Sequence, residues 1–222
     1  MRAPTTVESR HRAVTDTRSL VYVVDDDGSV RESLQTLFEE WGYRPELYAS
    51  AEEFLAYSRQ TAPACLILDV GLPALNGLEL QQLIGNGQSG LPIIFITGNG
   101  DIPMSVQAMK GGAIEFLTKP FRPEALLAAV SSAVERSRLY LAEQLELNAL
   151  RKRHESLSRR EREVMSLVIR GQLNKQVAAT LGISEITVKA HRGRAMRKMK
   201  ARSLADLVTI GGRLGRVSAN KE

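Results

Sequence analysis

The sequence predicts a doubly wound, parallel α/β domain followed by an all-helical one. Three observations carry this. From residue 20 to residue 119, short apolar runs rich in Val, Ile and Leu alternate with segments of helical periodicity. The runs are mostly apolar throughout rather than alternating, as in strands covered on both faces of a sheet. Charge is also divided: residues 19–121 carry 5 Lys/Arg against 13 Asp/Glu, while residues 151–222 carry 18 against 6. An acidic front half and a basic back half suggest two domains with different partners.

The elements follow in order. "LVYVV" (20–24) is the first strand. In "GSVRESLQTLFEEWG" (28–42), Val30, Leu34, Leu37, Phe38 and Trp41 fall at helical spacing, and Gly42 suits the C-terminal cap. "RPELYA" (44–49) reads as a strand. "SAEEFLAYS" (50–58) opens with Ser50 and Glu53 at capping-box spacing. "ACLILDV" (64–70) is a strand, "NGLELQQLIG" (76–85) a helix and "LPIIFIT" (91–97) a strand. "DIPMSVQAMKGG" (101–112) is a helix with Pro103 tolerated in its first turn, and "AIEFLTK" (113–119) is the fifth strand. From Pro123 a helical pattern runs about thirty residues without Pro or Gly. Val130, Val134, Leu141 and Leu145 lie near one face, interrupted by Ser137 and Gln144. This bridge reads as a single helix with a solvated outer half; a short coiled coil is the alternative.

Five βα units place functional groups at the carboxyl ends of the strands. The first strand ends in Asp25 and Asp26, the third in Asp69, the fourth in Thr97 and the fifth in Lys119. In the flavodoxin-like order 2-1-3-4-5 the first and third strands are neighbours, so Asp25, Asp26 and Asp69 share one pocket. Like charges that close need a cation, and Mg²⁺ with retained waters fits an all-oxygen donor set. Thr97 offers a hydroxyl and Lys119 a point charge, a set suited to a phosphoryl group on a carboxylate. Asp27 begins the loop or caps the following helix. Each feature alone has an ordinary reading as a solvated turn, a strand-to-turn junction, a surface lysine or a core aromatic.

Together, "VVDDD", "LILDVGLP", "ITGNGD" and "FLTKPF" resemble the receiver domain of a two-component response regulator over residues 18–140. The resemblance implies that Asp69 is the phospho-acceptor, that Asp26 is a direct Mg²⁺ ligand with Asp25 acting directly or through water, and that the Gly71 carbonyl is the third protein ligand. It implies Thr97 as the switch hydroxyl, Phe116 as the switch aromatic and Lys119 as the charged partner of the phosphoryl group. Met104, Val106, Met109 and Ile114 are then candidates for a dimer face remodelled on phosphorylation. Related receivers often carry a larger residue, frequently arginine, where this chain has Gly71.

In the back half, Ser158 and Glu161 repeat the capping-box spacing and open a helix through Arg170 that ends at Gly171. A short helix, Asn174 to Leu181, is followed by a turn at Gly182 and a third helix from Glu185 to about Lys200, capped by Ser184. Two helices joined by a glycine turn make a helix-turn-helix. Lys189, His191, Arg192, Arg194, Arg197, Lys198 and Lys200 make the third helix basic, while Ile186, Val188, Ala195 and Met199 are expected to face the core. "LSRREREVM", "NKQVA", "LGIS" and "TVKAH" resemble the LuxR-type DNA-binding domain of the FixJ/NarL class over residues 155–213. That implies contacts to bases or phosphates from Lys189, Arg192, Arg194 and Arg197, with Asn174 and Thr187 as phosphate or capping residues. His191 is equally a DNA-facing or a structural residue. Gly193 departs from the pattern: it offers no side chain for readout and weakens the helix by about 1 kcal/mol relative to alanine.

Composition agrees with an intracellular regulator. The single cysteine, Cys65, rules out a disulfide framework within the chain and suits a reducing cytoplasm. No apolar run approaches the ~18 residues of a membrane span, and the polar start lacks the apolar core of a secretory signal. The expected plan is a disordered leader (1–18), a receiver (19–136), a helical linker (137–154), a four-helix LuxR-type helix-turn-helix domain (155–216) and a tail (217–222). The expected function is phosphorylation-controlled transcription regulation. The partners are a histidine kinase, promoter DNA and a second copy of the chain, with RNA polymerase as a further candidate. Catalysis is limited to the chain's own Mg²⁺-dependent phosphorylation and dephosphorylation. A phosphoryl sink leaves the basic helix unexplained, and a purely ligand-sensing regulator leaves the strand-end residues idle.

Overall fold

The computed structural model describes residues 18–57, 61–85 and 90–219. Residues 1–17 of the expected leader and 220–222 of the expected tail lie outside the described residues. The chain divides into two compact units between Leu139 and Tyr140.

The first unit alternates β1 (Leu20–Val24), α1 (Gly28–Glu40), β2 (Arg44–Tyr48), α2 (Ala51–Ala56), β3 (Ala64–Asp69), α3 (Gly77–Ile84), β4 (Ile93–Thr97), α4 (Ile102–Lys110), β5 (Glu115–Thr118) and the start of α5 (Pro123–Glu155). The sheet is parallel in the order β2-β1-β3-β4-β5. Side chains alternate along each strand, so one run fills two cores. Leu20, Tyr22, Val24, Leu66, Leu68 and Phe95 face α2, α3 and α4, packing on Phe54, Leu80 and Ala108. Val21, Val23, Cys65, Ile67, Ile94 and Ile96 face α1 and α5, packing on Phe38, Leu126 and Val130. Burial pushes the Cys65 thiol far up, which makes it an inert core residue.

Local signals explain most element ends. Asp27 caps α1 by accepting from the Ser29 N–H at 2.8 Å. Gly42, just past α1, has φ +77, as a C-terminal cap requires. The Ser50 signal is half realised: its hydroxyl accepts from Glu53 N, but the Glu53 carboxylate reaches the Ala49 N–H rather than that of Ser50. α3 carries a full box, Asn76 with Glu79. In α5, Val130 and Val134 are buried, whereas Leu145 is 67 % exposed, so the apolar face expected over the bridge does not persist along it. Ser137, which interrupts that face in sequence, is buried: its hydroxyl accepts from Ala64 N and donates to Gly90 O, both at 3.2 Å.

The second unit holds the end of α5, then α6 (Arg159–Ile169), α7 (Asn174–Leu181), α8 (Glu185–Met199) and α9 (Leu204–Ala219). α9 takes in residues 217–219 of the expected tail. Val164 and Val168 of α6, Val177 of α7, Val188, Ala195 and Met199 of α8 and Leu207 of α9 form its core. The Ser158–Glu161 box is complete. Glu161 is only 4 % exposed, and its carboxylate also accepts from Lys198 Nζ at 2.6 Å, tying α8 to α6.

Candidate phosphorylation site and DNA-binding helix

Parallel pairing builds the site. Val24 is in register with Leu68, so Asp25 and Asp69, the next residues of β1 and β3, emerge side by side at the sheet's carboxyl edge. Thr97 pairs with Thr118, and the Lys119 N–H donates to the Thr97 carbonyl at 2.7 Å, bringing Lys119 to the same edge. Asp25, Asp26 and Asp69 each offer a carboxylate oxygen, and the three atoms lie within 4.8 Å of one another.

The three carboxylates are not equivalent. Asp25 has no exposed surface. Its Oδ1 accepts from the Asp27 N–H at 3.0 Å and its Oδ2 from Lys119 Nζ at 2.6 Å. Arg31 Nη1 donates to the Asp25 carbonyl at 2.6 Å, a contact with no signal in the sequence pattern. Asp26 is exposed. Asp69 is 7 % exposed; Lys119 Nζ lies 3.7 Å from its Oδ2, while its buried Oδ1 has no hydrogen-bond partner among the described residues. Burial raises the Asp69 carboxyl above its ordinary value; Lys119 and the Gly71 backbone oppose this, and Asp25 and Asp26 add to it. A buried carboxylate oxygen without a partner, beside two further carboxylates, fits a hard cation with oxygen ligands.

An open pocket of about 430 Å³ is lined by Asp69, Gly71, Asn76, Thr97, Asn99 and Met104, among others. Thr97 is buried, and its hydroxyl accepts from Asn99 N at 3.3 Å. Gly71 leaves one side bare: a Cβ there would stand 3.7 Å from Asp69 Oδ2, an ordinary contact. Phe116 is half-buried, its ring 6.2 Å from that of Phe95. Gly100 makes room for it, since a Cβ there would come within 2.9 Å of Phe116 Cε1 and of Thr97 Cγ2. Neither Asn76 nor Gly100 was distinguishable in sequence from an ordinary turn residue. Of the four dimer-face candidates, Val106 and Met109 are exposed, while the partly buried Met104 and Ile114 pack against the two core clusters, one on each.

On α8, Lys189, Arg194 and Arg197 are exposed. Arg192 Nη1 instead donates to Asn174 Oδ1 at 3.1 Å. Asn174 is the first residue of α7, whose cap position is Leu173, so it does not cap that helix. Thr187 is engaged at the α8 cap, its hydroxyl 2.8 Å from that of Ser184. His191 is half-buried, with an Nδ1 that has no partner among the described residues. Lys198 is committed to Glu161 and the Ser156 carbonyl. The expectation that Ile186 faces the core fails: it is 79 % exposed. It lies on the side of the helix opposite Val188 and Ala195, where a 3.6-residue turn puts it.

Residues 21–131 match the response regulator receiver domain family, and residues 155–210 match the luxR family of bacterial regulatory proteins. The chain is 50 % identical to nodulation protein W of Bradyrhizobium diazoefficiens, over 92 % of this chain and 89 % of that protein. It is 45 % identical to the response regulator protein TodT of Pseudomonas putida, over 91 % and 89 %. Among solved structures it is similar to the response regulator StyR, with 44 % identity and a TM-score of 0.78 over 88 % of this chain and 99 % of that one.

Proposed function

The chain belongs to the two-component response regulators, with a phospho-aspartate receiver and a LuxR-type DNA-binding domain, and within that family we propose that Asp69 is the residue that accepts the phosphoryl group. It is a transcription regulator, not a catalytic enzyme. The observation that carries the assignment is Asp69 itself, buried at the lining of an open pocket with an Oδ1 that has no hydrogen-bond partner among the described residues.

Asp25, Asp26 and Asp69, with the Gly71 carbonyl, would hold Mg²⁺. When bound, the ion neutralises charge on the transferred phosphoryl oxygens. Asp69 attacks phosphorus; its O–P bond forms as the N–P bond to the kinase histidine breaks, and the electron pair returns to the imidazole. Lys119 stays paired with Asp25 and reaches the phosphoryl oxygens beside Asp69 Oδ2. Thr97 donates its hydroxyl to a phosphoryl oxygen, and Phe116 turns inward behind it. The exposed α4 residues Val106 and Met109, with Met104 and Ile114 at their margins, then remodel into a face on which two chains pair. The pair binds a two-fold promoter site through α8 in the major groove. The partners are a histidine kinase and double-stranded promoter DNA, with RNA polymerase downstream, in the cytoplasm. The domain plan proposed is a receiver over 19–136, a linker over 137–154 and a DNA-binding domain over 155–216. No helix among the described residues is long and apolar enough to cross a membrane.

Intact-mass measurement with Mg²⁺ and acetyl phosphate tests the acceptor. One phosphoryl group gained by the wild type and none by Asp69→Ala is the expected result. A gain in both refutes Asp69. Light scattering before and after treatment then checks the pairing of chains.

A further inference from the structure

α8 carries a row of residues that neither the core nor the ion pairs explain. Ile186, Ala190, Gly193 and Arg197 are separated by steps of three and four residues, so they stack along one face. Val188, Ala195 and Met199, all buried, occupy the opposite face. Ile186 is 79 % exposed, more than nearly every other large apolar side chain described.

Gly193 is the second anomaly. Glycine in a helix interior weakens it. Nothing around this one requires it: a Cβ there would meet only Arg197 Nη1, at 3.8 Å, an ordinary contact. The fold would accept alanine. A glycine the fold does not need, on an outward face, fits close approach of another molecule to the helix backbone. Lys189 and Arg194, both exposed, flank the row on its two sides.

A DNA duplex matches this surface. Residues 151–222 carry a net charge of +12, complementary to phosphates. In the major groove the thymine C5 methyl is an apolar group that an aliphatic side chain can touch.

We propose that Ile186, Ala190 and Gly193 read thymine methyl groups in the major groove. Gly193 lets the helix backbone come against the base edges, and Lys189, Arg194 and Arg197 take the flanking phosphates. Sequence preference then rests on apolar contact with thymines rather than on bidentate arginine–guanine pairing. The inference rests on the DNA-binding reading above.

The test uses the full chain, with and without acetyl phosphate and Mg²⁺, to select duplexes from a randomised DNA pool. The selected site is then remade with deoxyuridine for thymine, which deletes only the methyl. Wild-type affinity is expected to fall roughly four-fold per methyl lost under the row. Ile186→Ala is expected to lose the preference for thymine over deoxyuridine at the positions under residue 186 and keep it elsewhere along the row, with an unchanged salt dependence. Gly193→Ala is expected to melt higher than the wild type yet bind the selected site about tenfold more weakly, with no change on unselected DNA. Equal wild-type affinity for the two versions of the site, or selected-site binding by Gly193→Ala equal to wild type, overturns the inference and leaves DNA binding intact. Enrichment of no duplex overturns both.

Discussion

Lys119→Met keeps the length of the side chain and removes its charge. In the wild type, Nζ lies 2.6 Å from Asp25 Oδ2 and 3.7 Å from Asp69 Oδ2. Without it, two buried carboxylates face each other, and Asp25 keeps only the Asp27 N–H at 3.0 Å. Removing one partner of a buried pair destabilises by about 3–5 kcal/mol. The Lys119 side chain is 22 % exposed. Water therefore screens part of the pair, and the lower end, about 3 kcal/mol, applies. The pH dependence carries a sign. Burial already holds the Asp69 carboxyl high, and Lys119 is the foremost influence pulling it down. In the variant it rises further, so the native state keeps a proton that the unfolded chain releases above about pH 4. A raised folded-state pKa means stability is lost as pH rises through it. The deficit against wild type is therefore largest at pH 8 and smaller at pH 5. Urea unfolding with a chelator present, followed by near-ultraviolet circular dichroism, measures it. The tryptophan, all five phenylalanines and every tyrosine but Tyr140 lie between residues 22 and 121, so the signal reports chiefly this unit. A deficit below about 1 kcal/mol at pH 8, against the ~3 expected for a buried pair, refutes the reasoning, as does one larger at pH 5 than at pH 8.

Ser137→Ala leaves the Ala64 N–H and Gly90 carbonyl without their shared hydroxyl; urea unfolding should show a loss of about 1–3 kcal/mol. Phosphoryl uptake should be unchanged, because Ala64 opens the strand that Asp69 closes. Gly100→Ala drives a methyl against Phe116 and Thr97; a loss of about 1–3 kcal/mol and an altered aromatic circular dichroism are expected. Glu161→Gln keeps an acceptor for Ser158 N but loses the ionic bond to Lys198, weakening the second unit by about 1–2 kcal/mol at neutral pH. The Lys198 ammonium, then the Ser158 N–H, hold the Glu161 carboxyl below its ordinary value. Its contribution is complete above the unfolded value of about 4.3 and disappears as pH falls through the lower folded one. Hydrogen exchange of α8 amides should thus separate wild type from variant at pH 6 and not at the acid end of the transition.

Element types, the five βα units, the helix-turn-helix and the cluster of strand-end groups were all legible in sequence, because periodicity, capping residues and charge are local properties. Strand β5 and helix α4 came out shorter than their apolar patterns, since pairing and capping decide where an element stops. The pairing of Ser137 was not legible, because it depends on what lies across the core; Gly193 stood out in sequence, but that nothing around it requires a glycine did not, and the exposure of Ile186 followed from its helical phase relative to Val188. The same holds around Asp69. Sequence alone assembled Asp25, Asp69 and Lys119 as a set. That Lys119 bonds Asp25, 94 residues away, and leaves Asp69 Oδ1 without a partner was decided only by the register of strands brought together in the sheet.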